Sequence, residues 1–159
     1  MKILAAAGAC ALMTFGFAAQ ASALTFSPTS QPVSGTGSTS LTYGTTLSCS
    51  ATFAGATSST GATASVTTAS FSGGLLGACG AVTTVLPWTI TPTSTSTVTI
   101  SDVKVTVPLL GITCGPSTIS ASVTQNGTTS TTLSWTSQTL SGGCTTSGSV
   151  TLTPQIKIS

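Results

Sequence analysis

The chain has 159 residues, of which three are Lys, one is Asp and none is Arg, Glu or His, while 36 are Thr and 26 are Ser. That inventory offers no base for a Ser or Cys nucleophile, no carboxylate pair for glycoside hydrolysis and no His-containing metal shell. Lys2, Lys104 and Lys157 are too few to neutralise a row of phosphates, so nucleic-acid binding by counterion release is not expected either. The composition points to a non-enzymatic β-protein that works without a cofactor or metal.

At the N-terminus, Lys2 precedes the apolar run ILAAAGACALMTFGF, and a short polar stretch ends in Ala21-Ser22-Ala23. A charged start, an apolar centre and small residues at a cleavage site make a Sec signal peptide. Cleavage is expected after Ala23, taking residues 1–23 and leaving 24–159 as one β domain secreted to the medium or the outer cell surface. The apolar run is about 15 residues, shorter than the roughly 18 to 20 of a spanning helix, so no transmembrane segment is expected after cleavage. Cys10 leaves with the signal.

The first predicted strand covers 41–53 and the second 62–71, both rich in the Thr, Val and aromatic residues that suit a pleated surface. The stretch 75–86 is interrupted by glycine and is read as a loop followed by a buried strand. A strand over 88–91 opens the sequence TITPTSTSTVTI, in which Thr89, Thr91, Thr93, Thr95, Thr97 and Thr99 fall on alternate positions. From 98 to 107 the apolar residues switch parity, Val98 and Ile100 before Asp102, Val103, Val105 and Val107 after it. Such a switch predicts a bulge or turn near Asp102. Strands over 118–124 and 131–135 flank Asn126-Gly127, a hairpin signal of the type I′ kind. The last predicted strand, 150–158, keeps one parity through Val150, Leu152, Ile156 and Ile158, and its Pro154 calls for an edge or a bulge. Short strands punctuated by turn residues indicate an all-β antiparallel β-sandwich or barrel-like domain.

The cysteines add a constraint. Without Cys10 there are four, Cys49, Cys79, Cys114 and Cys144, an even number in an exported chain and hence two disulfides. Four cysteines allow three connectivities. The separation of 30 residues occurs twice, which favours Cys49 with Cys79 and Cys114 with Cys144 and points to an internal two-fold repeat with halves 24–105 and 106–159. WTITP after the first pair and VTLTP after the second fit that repeat. Zinc is disfavoured, because no two cysteines are close in sequence.

Phe26, Tyr43, Phe53, Phe71, Trp88 and Trp135 are the large core candidates. Trp88, which follows Pro87, is also a candidate for ligand or interface contact, with Thr89 and Thr91 beside it. Outward positions must be filled largely by Thr, Ser and Gly. A surface with so little charge lacks the repulsion that keeps proteins apart, and it favours self-association or adsorption.

The segments LSCSATFAG (47–55), ASVTTASFSGG (64–74), LPW (86–88) and GITCGPS (111–117) resemble the small secreted proteins of Gram-negative bacteria called protein activator for alkane oxidation, of the PraB type. The resemblance covers most of the chain after the signal. It implies an extracellular, non-enzymatic factor that assists growth on long-chain alkanes, with a hydrocarbon–water interface or the cell surface as its partner. No family site residues carry over. Two other readings are open: a fimbrial or surface-fibre subunit built by strand addition, and a carbohydrate- or ice-binding module using the regular Thr array.

Overall fold

The structure, a computed structural model, describes residues 23–159. The signal peptide read at 1–23 therefore lies, but for Ala23, outside the described residues.

Eleven strands form among the described residues. β1 (Phe26–Ser27) and β11 (Lys157–Ile158) pair with each other. β2 (Pro32–Tyr43), β3 (Thr45–Thr57), β4 (Ala64–Ser72), β6 (Trp88–Ser94), β7 (Thr97–Val107), β8 (Ile112–Asn126), β9 (Ser130–Leu140) and β10 (Cys144–Thr153) each pair antiparallel with the next, and β10 returns to β2. The result is an eight-strand up-and-down barrel with two disulfides. The two-residue β5 (Thr83–Thr84) adds to β7 beyond the end of its ladder with β6.

Alternation explains the closure. Val98 and Ile100 on β7, Ile119 and Ala121 on β8, Leu133 on β9, and Val150 and Leu152 on β10 are all buried in one core. Their neighbours in sequence face out with hydroxyl groups, and these pair across the strands: Thr93 with Thr97 (2.8 Å), Thr106 with Thr113 (3.1 Å) and Ser134 with Ser149 (3.2 Å). Carbon inside and hydroxyl outside is the reverse of a membrane-spanning barrel, whose outer band is apolar.

Several sequence expectations are corrected here. The single strand expected over 41–53 is two, folded back at Gly44, whose φ of 69° suits the tight turn between Tyr43 and Thr45. The regular Thr array folds back at 95–96, so that Thr91 lies opposite Thr99 in a hairpin rather than in one long row. Asn126-Gly127 does make a hairpin, but Asn126 pairs with Ser130 across a three-residue connection, and of the two only Gly127 has a positive φ. The run 150–158 keeps its buried parity yet is split: β10 stops at Thr153, before Pro154, and sits between β9 and β2 instead of at an edge. The boundary 105–106 falls inside β7, and Cys49 on β3 lies on the strand opposite that of Cys114 on β8 in the eight-strand order. The parity switch at Asp102 is a bulge within β7, where Ile100 opposes Ile119 but Val103 opposes Ser117, and Asp102 takes a φ of 63°.

The two ends of the barrel differ. At one end the β1–β11 pair is a plug, with Phe26, Ile156 and Ile158 buried against the core. Two buried threonines hold it. The Thr131 hydroxyl donates to the Ile156 carbonyl (2.7 Å) and accepts from the Ile156 N–H (3.2 Å); that of Thr57 donates to the Pro28 carbonyl (2.8 Å) and accepts from the Gln31 N–H (2.9 Å). The hairpin connections at this end, 58–63, 95–96 and 127–129, carry only Ser, Thr, Gly and Ala, while 28–31 and 154–156, which lead to and from the plug, add Pro28, Gln31, Pro154, Gln155 and the buried Ile156.

Candidate functional site

The other end is built from the connections 73–87, 108–111, 141–143 and the Tyr43–Thr45 turn. Two of them hold the same short motif, Leu-Leu-Gly, at 75–77 and 109–111. In the first, the chain turns through left-handed backbone at Leu76 (φ 55°) and Gly77 (φ 76°), and in the second at Gly111 (φ 63°). Each 3-10 turn is too tight to fold both leucines under. Leu75 and Leu76 are 82% and 95% exposed, Leu109 and Leu110 65% and 49%. With Tyr43 and Val85 they are all the exposed large apolar residues among those described, and every one belongs to this end or to the connection that runs from it. The two leucine turns touch each other. The sequence expectation for 75–86, a loop and a buried strand, is thus corrected in its burial: the loop and a two-residue strand, β5, are present, but only Cys79 is buried there.

The barrel wall is also incomplete at this end. β4 pairs with β6 only through Ala64, Ser65 and Val66, so residues 67–72 have no ladder partner on that side among the described residues. The 3-10 segment Leu75–Ala81 crosses this gap, touching β3, β4 and β7. It is pinned by the Cys49–Cys79 disulfide, Cα to Cα 5.7 Å. The β8–β9 ladder is short as well, stopping at Ser122 opposite Ser134. There Cys114–Cys144 (Cα to Cα 5.9 Å), the Ser117 hydroxyl accepting from the Ser141 N–H (2.8 Å) and the Gln138 side chain accepting from the Ser120 N–H (2.9 Å) replace the missing rungs. The disulfides follow the pairing favoured by the equal spacing, and each closes a place where backbone pairing runs out.

Behind the gap lies an apolar cavity of about 100 Å³. Its walls include Ile100, Ile119 and Leu133 at depth and Val66, Phe71 and Val105 toward the gap. These last three point inward yet are only half-buried, as are Leu41, Leu47 and Trp135 on the same cavity, because the space beside them is empty. Trp135 lies over Gly148, where any side chain would meet the indole ring within 2.4 Å, and its N–H reaches the Thr146 hydroxyl (3.3 Å).

Of the residues singled out in the sequence, Trp88 does not stand on a loop. It opens β6, is 7% exposed, packs tilted against Phe53 with ring centres 6.0 Å apart, and lines the cavity. Its indole N–H is covered by protein and has no hydrogen-bond partner among the described residues. Thr91 is exposed on the barrel's outer face, and Thr89 is half-buried, one residue on from Trp88. Strand alternation separates both threonines from Trp88. The exposed leucines are the residues that strand-based reading missed. The signal was present as the repeated Leu-Leu-Gly in a chain otherwise dominated by hydroxyl groups.

Residues 1–159 match the family described as alkane oxidation protein activator PraA/PraB-like. The chain belongs to this family. Neither the curated proteins nor the solved structures contain a match. For this PraA/PraB-like protein, the family description supplies the connection to alkane oxidation, and the structure adds a barrel whose exposed large apolar residues lie at one end.

Proposed function

We propose that this PraA/PraB-like protein is a secreted, non-enzymatic accessory factor that assists the use of long-chain alkanes by adsorbing at a hydrocarbon–water boundary through the leucine-bearing end of its barrel. The observation that carries the reading is the asymmetry: one end presents four exposed leucines with Tyr43 and Val85 near them, and the other exposes no large apolar side chain among the described residues. Moving four leucines from water into oil is worth on the order of 6 kcal/mol. The Thr- and Ser-covered wall stays hydrated, and the low net charge lets adsorbed molecules pack closely. The two disulfides hold the strands at this end, so contact with oil does not spread the barrel open.

The test is the tension of a hexadecane–water interface over the protein without its signal, compared with the variant carrying Leu75→Ser, Leu76→Ser, Leu109→Ser and Leu110→Ser. The four side chains are exposed, so thermal stability changes little. The variant is expected to need at least about tenfold more protein for the same fall in tension, a cautious bound on the loss of that burial. Equal activity of variant and wild type would remove the leucine end from the mechanism. A wild type no more active than an unrelated soluble protein of the same size would end the interfacial reading altogether.

A further inference from the structure

The geometry points to a binding site inside the barrel for the methyl end of a single unbranched hydrocarbon chain, reached through the gap between β4 and β5 beneath the Leu75–Ala81 segment. The inference rests on the hydrocarbon reading above and adds a stoichiometric site to it. Eight-strand barrels have interiors just wide enough to be filled by side chains or to hold one small ligand. In this barrel the filling is incomplete, and the space left is walled mostly by aliphatic and aromatic carbon, with Thr39, Ser40 and Thr146 the hydroxyl-bearing residues on its lining. The single indole N–H on the Trp88 wall is covered, so a guest meets no hydrogen-bonding group there. A guest with polar groups against that wall would have to leave them unpaired. An apolar cavity of this kind stays dry and takes apolar guests, as an engineered cavity of about 150 Å³ takes benzene.

Size decides how much of a chain enters. At about 100 Å³, the space is smaller than that benzene site, so it accommodates a chain end of a few carbons and not a whole long alkane. The remainder must leave through the wall, and of the two places where the ladders stop, the one between β8 and β9 is bridged by hydrogen bonds and Cys114–Cys144, while the one that borders the cavity runs from Val66 and Phe71 on β4 to Val82 and Val105. Leu75 and Leu76 are exposed on the segment that crosses it. Cavity, gap and exposed leucines thus form a continuous apolar path from the interior to the surface. A narrow path of this kind admits a straight methyl end and rejects a branched one.

The experiment uses the protein without its signal, in solution with methyl-labelled n-dodecane below its solubility limit, and reads magnetisation transfer from the labelled methyl to the protein. Saturable contacts with Ile100, Ile119 and Leu133, one chain per barrel, are expected. Val66→Phe and Val105→Phe place a ring in the gap from half-buried positions, and each is expected to weaken binding at least about tenfold while the methyl spectrum of the core stays in place. A terminally branched alkane of equal carbon number should bind more weakly than the linear one. Contacts confined to Leu75, Leu76, Leu109 and Leu110 would overturn the interior site and leave the interfacial reading standing. Equal binding by wild type and both variants would also overturn it, as would the absence of any contact, and the tension measurement then decides separately whether the surface reading survives.

Discussion

Replacing Cys114 and Cys144 together by alanine is expected to lower the unfolding free energy by about 3 to 4 kcal/mol and the melting temperature by about 10 to 15 °C. The bridge closes a loop with a sequence separation of 30, and releasing a loop of that size returns this much chain entropy to the unfolded state. The native side suffers as well, because between Ile112 and Ala121 β8 keeps its ladder to β7 but has none to β9, and on that side it is held by this bridge, the Gly115 N–H to the Ser141 carbonyl (2.9 Å) and a few side-chain hydrogen bonds. Replacing Cys49 and Cys79 has the same loop entropy but a different signature. The segment Leu75–Ala81 is otherwise held by few backbone bonds, among them Cys79 N–H to the Gly73 carbonyl (3.2 Å), so it detaches locally and its amides exchange before the barrel unfolds. Calorimetry with hydrogen exchange resolves the two. A loss below about 1 kcal/mol for the Cys114–Cys144 pair would show that the upper strands are held by something else.

Phe26→Ala is the second large effect, expected to cost about 3 to 5 kcal/mol in urea unfolding. Phe26 is 2% exposed and is the largest of the fully buried side chains. It sits on a two-residue strand whose only ladder is to Lys157 and Ile158, helped by the reciprocal bonds of Thr25 and Ser159 (2.9 and 3.0 Å). Removing the ring takes away most of what attaches this strand to the core. The backbone beyond has no second sheet to fall back on, so the site cannot collapse to refill the space. Phe26→Leu keeps most of the volume and should recover more than half of the loss. A cost under about 1 kcal/mol for the alanine variant would mean that the plug contributes little to closing that end.

Much of this architecture was legible in the sequence because strand alternation is a local signal. Val98 to Ile100, then Val103 to Val107, mark both the core face of β7 and the bulge at Asp102. The equal cysteine spacing favoured the pairing seen. Closure was not legible, since it depends on β10 meeting β2, and nothing local in Pro32–Tyr43 tells which strand will lie beside it. The same holds for the gap: β4 and β6 each read as ordinary strands, and only their register shows that three residues pair. The leucine end was missed for a different reason. An apolar pair in a glycine-interrupted stretch reads as buried on hydropathy, and only the tight turn through Leu76 and Gly77 shows that neither leucine can reach the core. Trp88 is legible as a core candidate at the start of a strand over 88–91, and cross-strand pairing with Val66 makes it the first inward residue of β6.

The most direct test of the central claim is where the protein collects when cells that make it grow on liquid alkane. The interfacial account predicts enrichment of the wild type in the oil layer and at droplet surfaces, with the four-serine variant left in the medium. Wild type and variant found together in the aqueous phase, or held equally on the cells, would contradict it.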